Sequence, residues 1–223
     1  MHKTNAPTTL TACDTLPPPF VIFLDIDGVV YNTPNQRGVF QKVAELFPDY
    51  PDAPRYDNFV CSIAAAYFFD KRALQNLGQL ITAIEKKRSV WIVISSSWRD
   101  DRTVDELRNT FFGIHDFSRY IVDKTPEDLP RHCISKYCSS SCHADKSYSM
   151  QCRASEIQHW LQDHPEISDY LVLDDYDEHL SIVFGERYIK THYNELLTPE
   201  ATQQALIAAW RQMGVIPEEM NRE

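Results

Sequence analysis

Three places in the chain put oxygen-bearing side chains directly behind apolar runs of strand length. Phe20–Leu24 runs into Asp25-Ile26-Asp27-Gly28. Val90–Ile94 runs into Ser95-Ser96-Ser97-Trp98-Arg99, and Tyr170–Leu173 runs into Asp174-Asp175. Two carboxylates one residue apart at the end of a buried strand are costly. Like charges at ~4 Å and an effective dielectric of ~20 repel by about 4 kcal/mol. Four carboxylates (Asp25, Asp27, Asp174 and Asp175) with hydroxyls and an arginine call for a divalent cation, and oxygen donors alone favour Mg²⁺. Two plainer readings compete. A calcium loop needs a third acidic residue before the glycine and a distal Glu, which Asp25–Gly28 lacks. The other is an ordinary turn at a strand end.

Further residues offer weaker chemistry. Ser96 and Arg99 stand where they can meet a substrate phosphate; alternatively, Trp98 packs and Arg99 pairs with Asp100 or Asp101 on the surface. Cys133, Cys138, Cys142 and Cys152, with His132 and His143, place soft ligands close together. A structural zinc would staple such a loop. The spacings are not C-x₂-C pairs, so reduced thiols in a loop are the competing reading. No cysteine has an arginine six positions on, which excludes the Cys-x₅-Arg loop of cysteine-dependent phosphatases.

The elements needed to position these residues are legible around them. Unbroken apolar runs at 20–24, 90–94, 120–122 and 170–173, with a weaker one at 187–190, suit strands buried on both faces of a parallel sheet. Leu74, Leu77, Ile81 and Ile84 predict a helix near 70–87. Val104, Leu107 and Phe111 mark another, and Ile157, Trp160 and Leu161 a third. Thr198-Pro199-Glu200 supplies a cap, a first-turn proline and an acidic first turn for a C-terminal helix. Strands alternating with helices predict an α/β, Rossmann-like fold of three layers, with ligands held outside the carboxyl ends of the strands. Residues 1–19 read as a polar tail and 20–223 as one domain. Residues 29–69 and 123–152 interrupt its rhythm as insertions. Aromatics crowd the first, Tyr31, Phe40, Phe47, Tyr50, Tyr56, Phe59, Tyr67, Phe68 and Phe69 among them. They either grip a substrate ring or form that insertion's own small core.

Composition sets outer bounds. The chain has 223 residues, 43% of them hydrophobic, and a formal charge of -10. That charge argues against a general binder of nucleic acid or membrane surfaces. Six glycines form neither a G-x-G-x-x-G nor a P-loop spacing. With no apolar run of membrane-spanning length and no signal-like start, a cytoplasmic protein with no membrane partner is expected. The acidic end, Glu218-Glu219 and Glu223, leaves export as a bacterial effector as an alternative.

The ordered set of strand, Asp25-x-Asp27-Gly28, Ser-ended strand, basic residue and Asp174-Asp175 resembles the haloacid dehalogenase (HAD) superfamily of phosphohydrolases over roughly residues 20–213. The stretch from Arg153 through Glu156-Ile157 to Trp160-Leu161, then Leu173-Asp174-Asp175 and Leu197-Thr198-Pro199-Glu200, resembles HAD domains grouped with bacterial RNA-repair proteins and with polynucleotide kinase/phosphatases. Leu196 departs from the pattern, which has glycine there. The resemblance implies a mostly parallel sheet with a small cap, Asp25 as nucleophile, Asp27 as acid and base, and Ser95 on the phosphoryl oxygens. It also implies a basic residue from Arg153, Lys124 or Lys146, with Arg153 favoured. Mg²⁺ would sit on Asp25, the Asp27 carbonyl and Asp175, with Asp174 orienting it. The small cap admits macromolecular phosphoesters. A phosphoprotein, phosphotyrosine included, is expected over a nucleic-acid end or nucleotide because of the net charge. A non-catalytic HAD-like binding module with a metal-binding Cys/His loop is the contrasting reading.

Overall fold

The computed structural model describes residues 16–32, 36–48, 63–111, 116–127 and 152–215. The expected Cys133, Cys138, Cys142 and Lys146, with most of the 1–19 tail and the acidic C-terminal residues, lie outside them.

Among the described residues, five strands form one parallel sheet. They are β1 (Phe20–Leu24), β2 (Val90–Ile94), β3 (Ile121–Lys124), β4 (Tyr170–Asp174) and β5 (Tyr188–Lys190), in the order β3-β2-β1-β4-β5. β1 is central, with every residue buried. It pairs in register with β2 from Phe20 against Val90 to Leu24 against Ile94, and with β4 from Val21 against Tyr170. Successive side chains of a strand point to opposite faces, which splits the core in two. Phe20, Ile22 and Leu24 join one cluster, and Val21 and Phe23 the other.

Helices cover both faces. α1 is Gln36–Leu46, α2 Lys71–Glu85, α3 Val104–Phe111, α4 Arg153–Asp163, α5 Leu180–Phe184 and α6 Pro199–Gln212. Leu77, Leu80 and Ile84 of α2, Leu107 and Phe111 of α3, and Ala205 and Ala209 of α6 pack on the first face. Ile157 and Trp160 of α4 and Leu180 and Phe184 of α5 pack on the second. The result is the expected three-layer α/β arrangement. Asp70 caps α2, its carboxylate accepting from the N–H groups of Arg72 and Ala73. Thr198 caps α6 as its sequence predicts, accepting from Ala201. The sequence pattern marks neither α1 nor α5. α1 lies inside the 29–69 segment, and α5 follows the Asp174-Asp175 pair.

The departure at Leu196 has a physical meaning. Its φ is +60°, a left-handed conformation that glycine adopts freely and other residues at a cost. The leucine side chain is nonetheless buried in the first core cluster. The next residue, Leu197, donates its N–H to Val29 O at 2.9 Å, and its carbonyl accepts from Asn76 Nδ2 at 2.7 Å. Core packing and these bonds hold the turn that glycine would make without strain.

Candidate functional site

The carboxyl edge of the sheet is held by a row of backbone hydrogen bonds. The Asp25 N–H donates to Leu173 O at 3.0 Å, Ser95 to Leu24 O at 2.9 Å, Thr125 to Ile94 O at 2.9 Å, and Thr191 to Asp174 O at 3.0 Å. Residues just beyond one strand are thus tied to the end of the next, and three chain segments deliver their polar side chains to one place.

Asp25, Asp174 and Asp175 each offer a carboxylate oxygen there, all within 4.8 Å of one another. Asp25 and Asp174 are buried. Burial pushes the Asp25 carboxyl up to about 6, although Arg153 and a hydrogen bond from Ser96 pull the other way. Burial and then the Asp25 charge push Asp174 up to about 8. Burial also raises Asp175. The turn after Asp27 keeps this corner open. Gly28 has φ +71°, and a β-carbon there would lie 2.2 Å from Asp175 Cγ. The Gly28 carbonyl is fixed by the Thr191 hydroxyl, which donates to it at 2.8 Å. Three oxygen donors that are hard to ionise side by side, in a cradle that only glycine leaves free, fit a hard divalent cation such as Mg²⁺.

Arg153, at the start of α4, faces the same group. Its Nε is 3.6 Å from Asp174 Oδ2. Burial works against its charge, but Asp25, Glu156, Asp174 and Glu178 outweigh this and raise its pKa. Lys124 turns its ammonium instead to the carbonyls of Arg99 and Arg102 and to Glu127. Of the two hydroxyls expected at the site, Ser96 bonds Asp25. The Ser95 Oγ is buried and has no partner among the described residues, as befits a donor awaiting a ligand.

Asp27 is partly buried, and its carboxylate accepts from the indole N–H of Trp98 at 2.8 Å. Burial raises its pKa and the Trp98 bond opposes this. Trp98 packs edge-on against Tyr31 and Phe69 and stacks with Phe111. The indole is therefore held by the core while its polar edge serves the site.

Arg99 is buried rather than on the surface. Its Nη2 is 2.8 Å from Glu156, its Nη1 donates to Ser96 O at 2.7 Å, and its Nε donates to Thr125 O at 3.1 Å. Glu156 also lies 3.3 Å from Arg153 Nη1. Arg99 and Glu156 thus bind the Ser96 loop, the end of β3 and the Arg153 helix together. Neither this use of Arg99 nor the roles of Glu156 and Trp98 was expected. Their only sequence signal is that they lie beside the motifs. The Cys152 Sγ lies 3.7 Å from His179 Nδ1, next to Arg153 in sequence. Among the described residues, no helix is long and apolar enough to cross a membrane.

Residues 21–202 match the family described as the HAD domain in Swiss Army Knife RNA repair proteins. Neither the curated proteins nor the solved structures compared with the chain include a significant match.

Proposed function

The chain belongs to the family of HAD domains found in Swiss Army Knife RNA repair proteins, and from that premise we propose that it is a phosphomonoester hydrolase with an aspartate nucleophile. HAD domains are in general hydrolases of the phosphatase type. The observation that carries the finer reading is Asp25, buried beside Arg153, Ser96 and two further carboxylates, with Asp27 held two positions on by Trp98.

In the first step an Asp25 carboxylate oxygen attacks phosphorus, and the ester P–O bond breaks. Asp27 gives its proton to the departing oxygen. In the second, Asp27 takes a proton from water, whose oxygen attacks the same phosphorus. The acyl-phosphate bond breaks, inorganic phosphate leaves and Asp25 is restored. The Trp98 indole aims one Asp27 oxygen, leaving the other for proton transfer. Arg153 places positive charge beside the transferring group, and the Ser95 hydroxyl is available to a phosphoryl oxygen. Asp25, Asp174 and Asp175 are the residues that would hold Mg²⁺, which supplies the charge that offsets a phosphate dianion.

The net charge of -10 favours a phosphoprotein, and the RNA-repair setting of the family favours a phosphorylated RNA end. We give the second more weight. Part of the negative charge lies in the site itself, and one terminal phosphate needs no long basic track. The 29–69 segment is read as a small cap. The test uses the full chain with p-nitrophenyl phosphate, with Mg²⁺ or EDTA, beside Asp25→Asn. Turnover should require metal and fall by at least about a thousandfold in Asp25→Asn. Equal turnover in both proteins overturns the reading. Short oligoribonucleotides phosphorylated at the 3′ or 5′ end, compared with phosphopeptides, decide the substrate class.

A further inference from the structure

A groove of about 720 Å³ is lined by Asn32, the segment leading into the start of α2 and the loop before α6. A cavity of this size suits a small organic group. Its walls are bonded to the turn that follows Asp27, whose backbone pairs with that of Tyr31. Gly28 donates its N–H to Tyr31 O at 2.7 Å, Asp70 to Val30 O at 3.0 Å, and Leu197 to Val29 O at 2.9 Å. Asn32, the next residue after Tyr31, already lines the groove.

The lining is specific in kind. Phe68 presents an aromatic ring, 38% of the residue exposed. Asn32 and Asn194 bring exposed side-chain amides, each able to donate and accept. Lys71 and Arg72 are offset by Glu195 and by Asp70, whose carboxylate is taken up in capping α2. The groove is therefore close to neutral. It suits a flat, uncharged ring with polar edges better than a second phosphate. A nucleobase has that chemistry: one face to stack and an edge of donors and acceptors.

We propose that this groove seats the nucleoside next to the scissile phosphate, its base stacked on Phe68 and its edge met by Asn32 and Asn194. The proposal rests on the phosphatase reading above and names what lies beyond the phosphate. It also accommodates the acidic chain. The protein binds one phosphate by metal and arginine and the adjoining nucleoside by neutral contacts, with no demand for a basic surface.

The experiment compares the full chain with Phe68→Ala and, separately, Asn194→Ala, an exposed position whose replacement spares the core. For each, the ratio of kcat/KM on a short phosphorylated oligoribonucleotide to kcat/KM on p-nitrophenyl phosphate is measured. Loss of one stacked base should lower that ratio about tenfold in Phe68→Ala. Asn194→Ala should lower it severalfold. A ratio within twofold of the parent chain in both variants overturns the proposal. An equal fall on a phosphotyrosyl peptide also overturns it, since the groove would then be taking a peptide ring. A second arm reads binding without turnover. An oligonucleotide with 2-aminopurine at its phosphorylated end should be quenched by the Asp25→Asn chain and much less by the same chain carrying Phe68→Ala. No quenching, or full quenching in both, overturns the groove. Absent turnover of p-nitrophenyl phosphate by the parent chain overturns the phosphatase reading alone, because this second arm does not depend on it.

Discussion

At the scale of single residues, Glu156 joins two arginines behind the carboxylate trio. It is buried between Arg99 and Arg153, and Arg153 in turn faces Asp174. Burial raises its pKa while both arginines oppose that shift. Removing one partner of a buried ion pair leaves the others uncompensated, typically at about 3–5 kcal/mol. Glu156→Gln should therefore lower unfolding stability by about 3 kcal/mol in denaturant titration. It should also lower kcat, because Arg153 loses the partner that orients it. A stability change under about 0.5 kcal/mol would mark the pair as no more than a surface contact. None of this could be read from the chain, since Arg99 and Glu156 meet only through tertiary packing. Asp25, Asp27, Asp174 and Asp175 were legible because each follows an apolar run whose burial makes a carboxylate conspicuous. Trp98 was not, because a tryptophan beside a motif looks the same whether it packs or also donates to Asp27.

At the scale of elements, the turn from Asp27 to Asn32 keeps open the corner beside the Asp25, Asp174 and Asp175 carboxylates. Gly28→Ala would put a β-carbon onto the Asp175 carboxylate and force φ +71° on alanine. The backbone alone costs about 1–2 kcal/mol, and the clash displaces one of the three carboxylates proposed to hold the metal. The variant should have a lower melting temperature, and that temperature should no longer rise with Mg²⁺. A normal Mg²⁺ response would show that Asp175 is not needed for binding. The strands were readable because they are short and wholly apolar, and α2 and α6 because a regular stripe or a capping triplet marks each. The sequence does not mark α1 because Gly38 lies within it and prolines crowd the 29–69 segment, so its stripe is submerged in breakers. α5 is only five residues long, too short to show a period.

At the scale of the whole molecule, the carboxylate cluster sets a pH dependence. Asp25 is raised from 3.8 to about 6 and Asp174 from 3.8 to about 8. For a carboxyl with a raised folded-state pKa, the folded state holds its proton where the unfolded state has lost it. Its contribution to stability is complete below 3.8 and is lost as pH rises through 6 and then 8. Without metal, the melting temperature should fall from about pH 5 to about pH 8, and Asp174→Asn should flatten that fall. A cation that binds only the folded, ionised site stabilises by mass action, so Mg²⁺ should raise the melting temperature more at pH 8 than at pH 5. A metal-free curve flat across this range would contradict the clustering of these charges.

The same row of edge bonds bears on how the site assembles during folding. Asp25 lies far ahead of Arg153, Asp174 and Asp175 in the chain, and Asp25 meets the Asp pair only when β4 docks beside β1. Parallel pairing across so long a separation is among the slower events of folding. A chain interrupted before residue 170 would carry the proposed nucleophile Asp25 without Asp174 and Asp175, the carboxylates proposed to hold the metal beside it. On the proposed reading, affinity for Mg²⁺ would thereby report that β4 has docked beside β1.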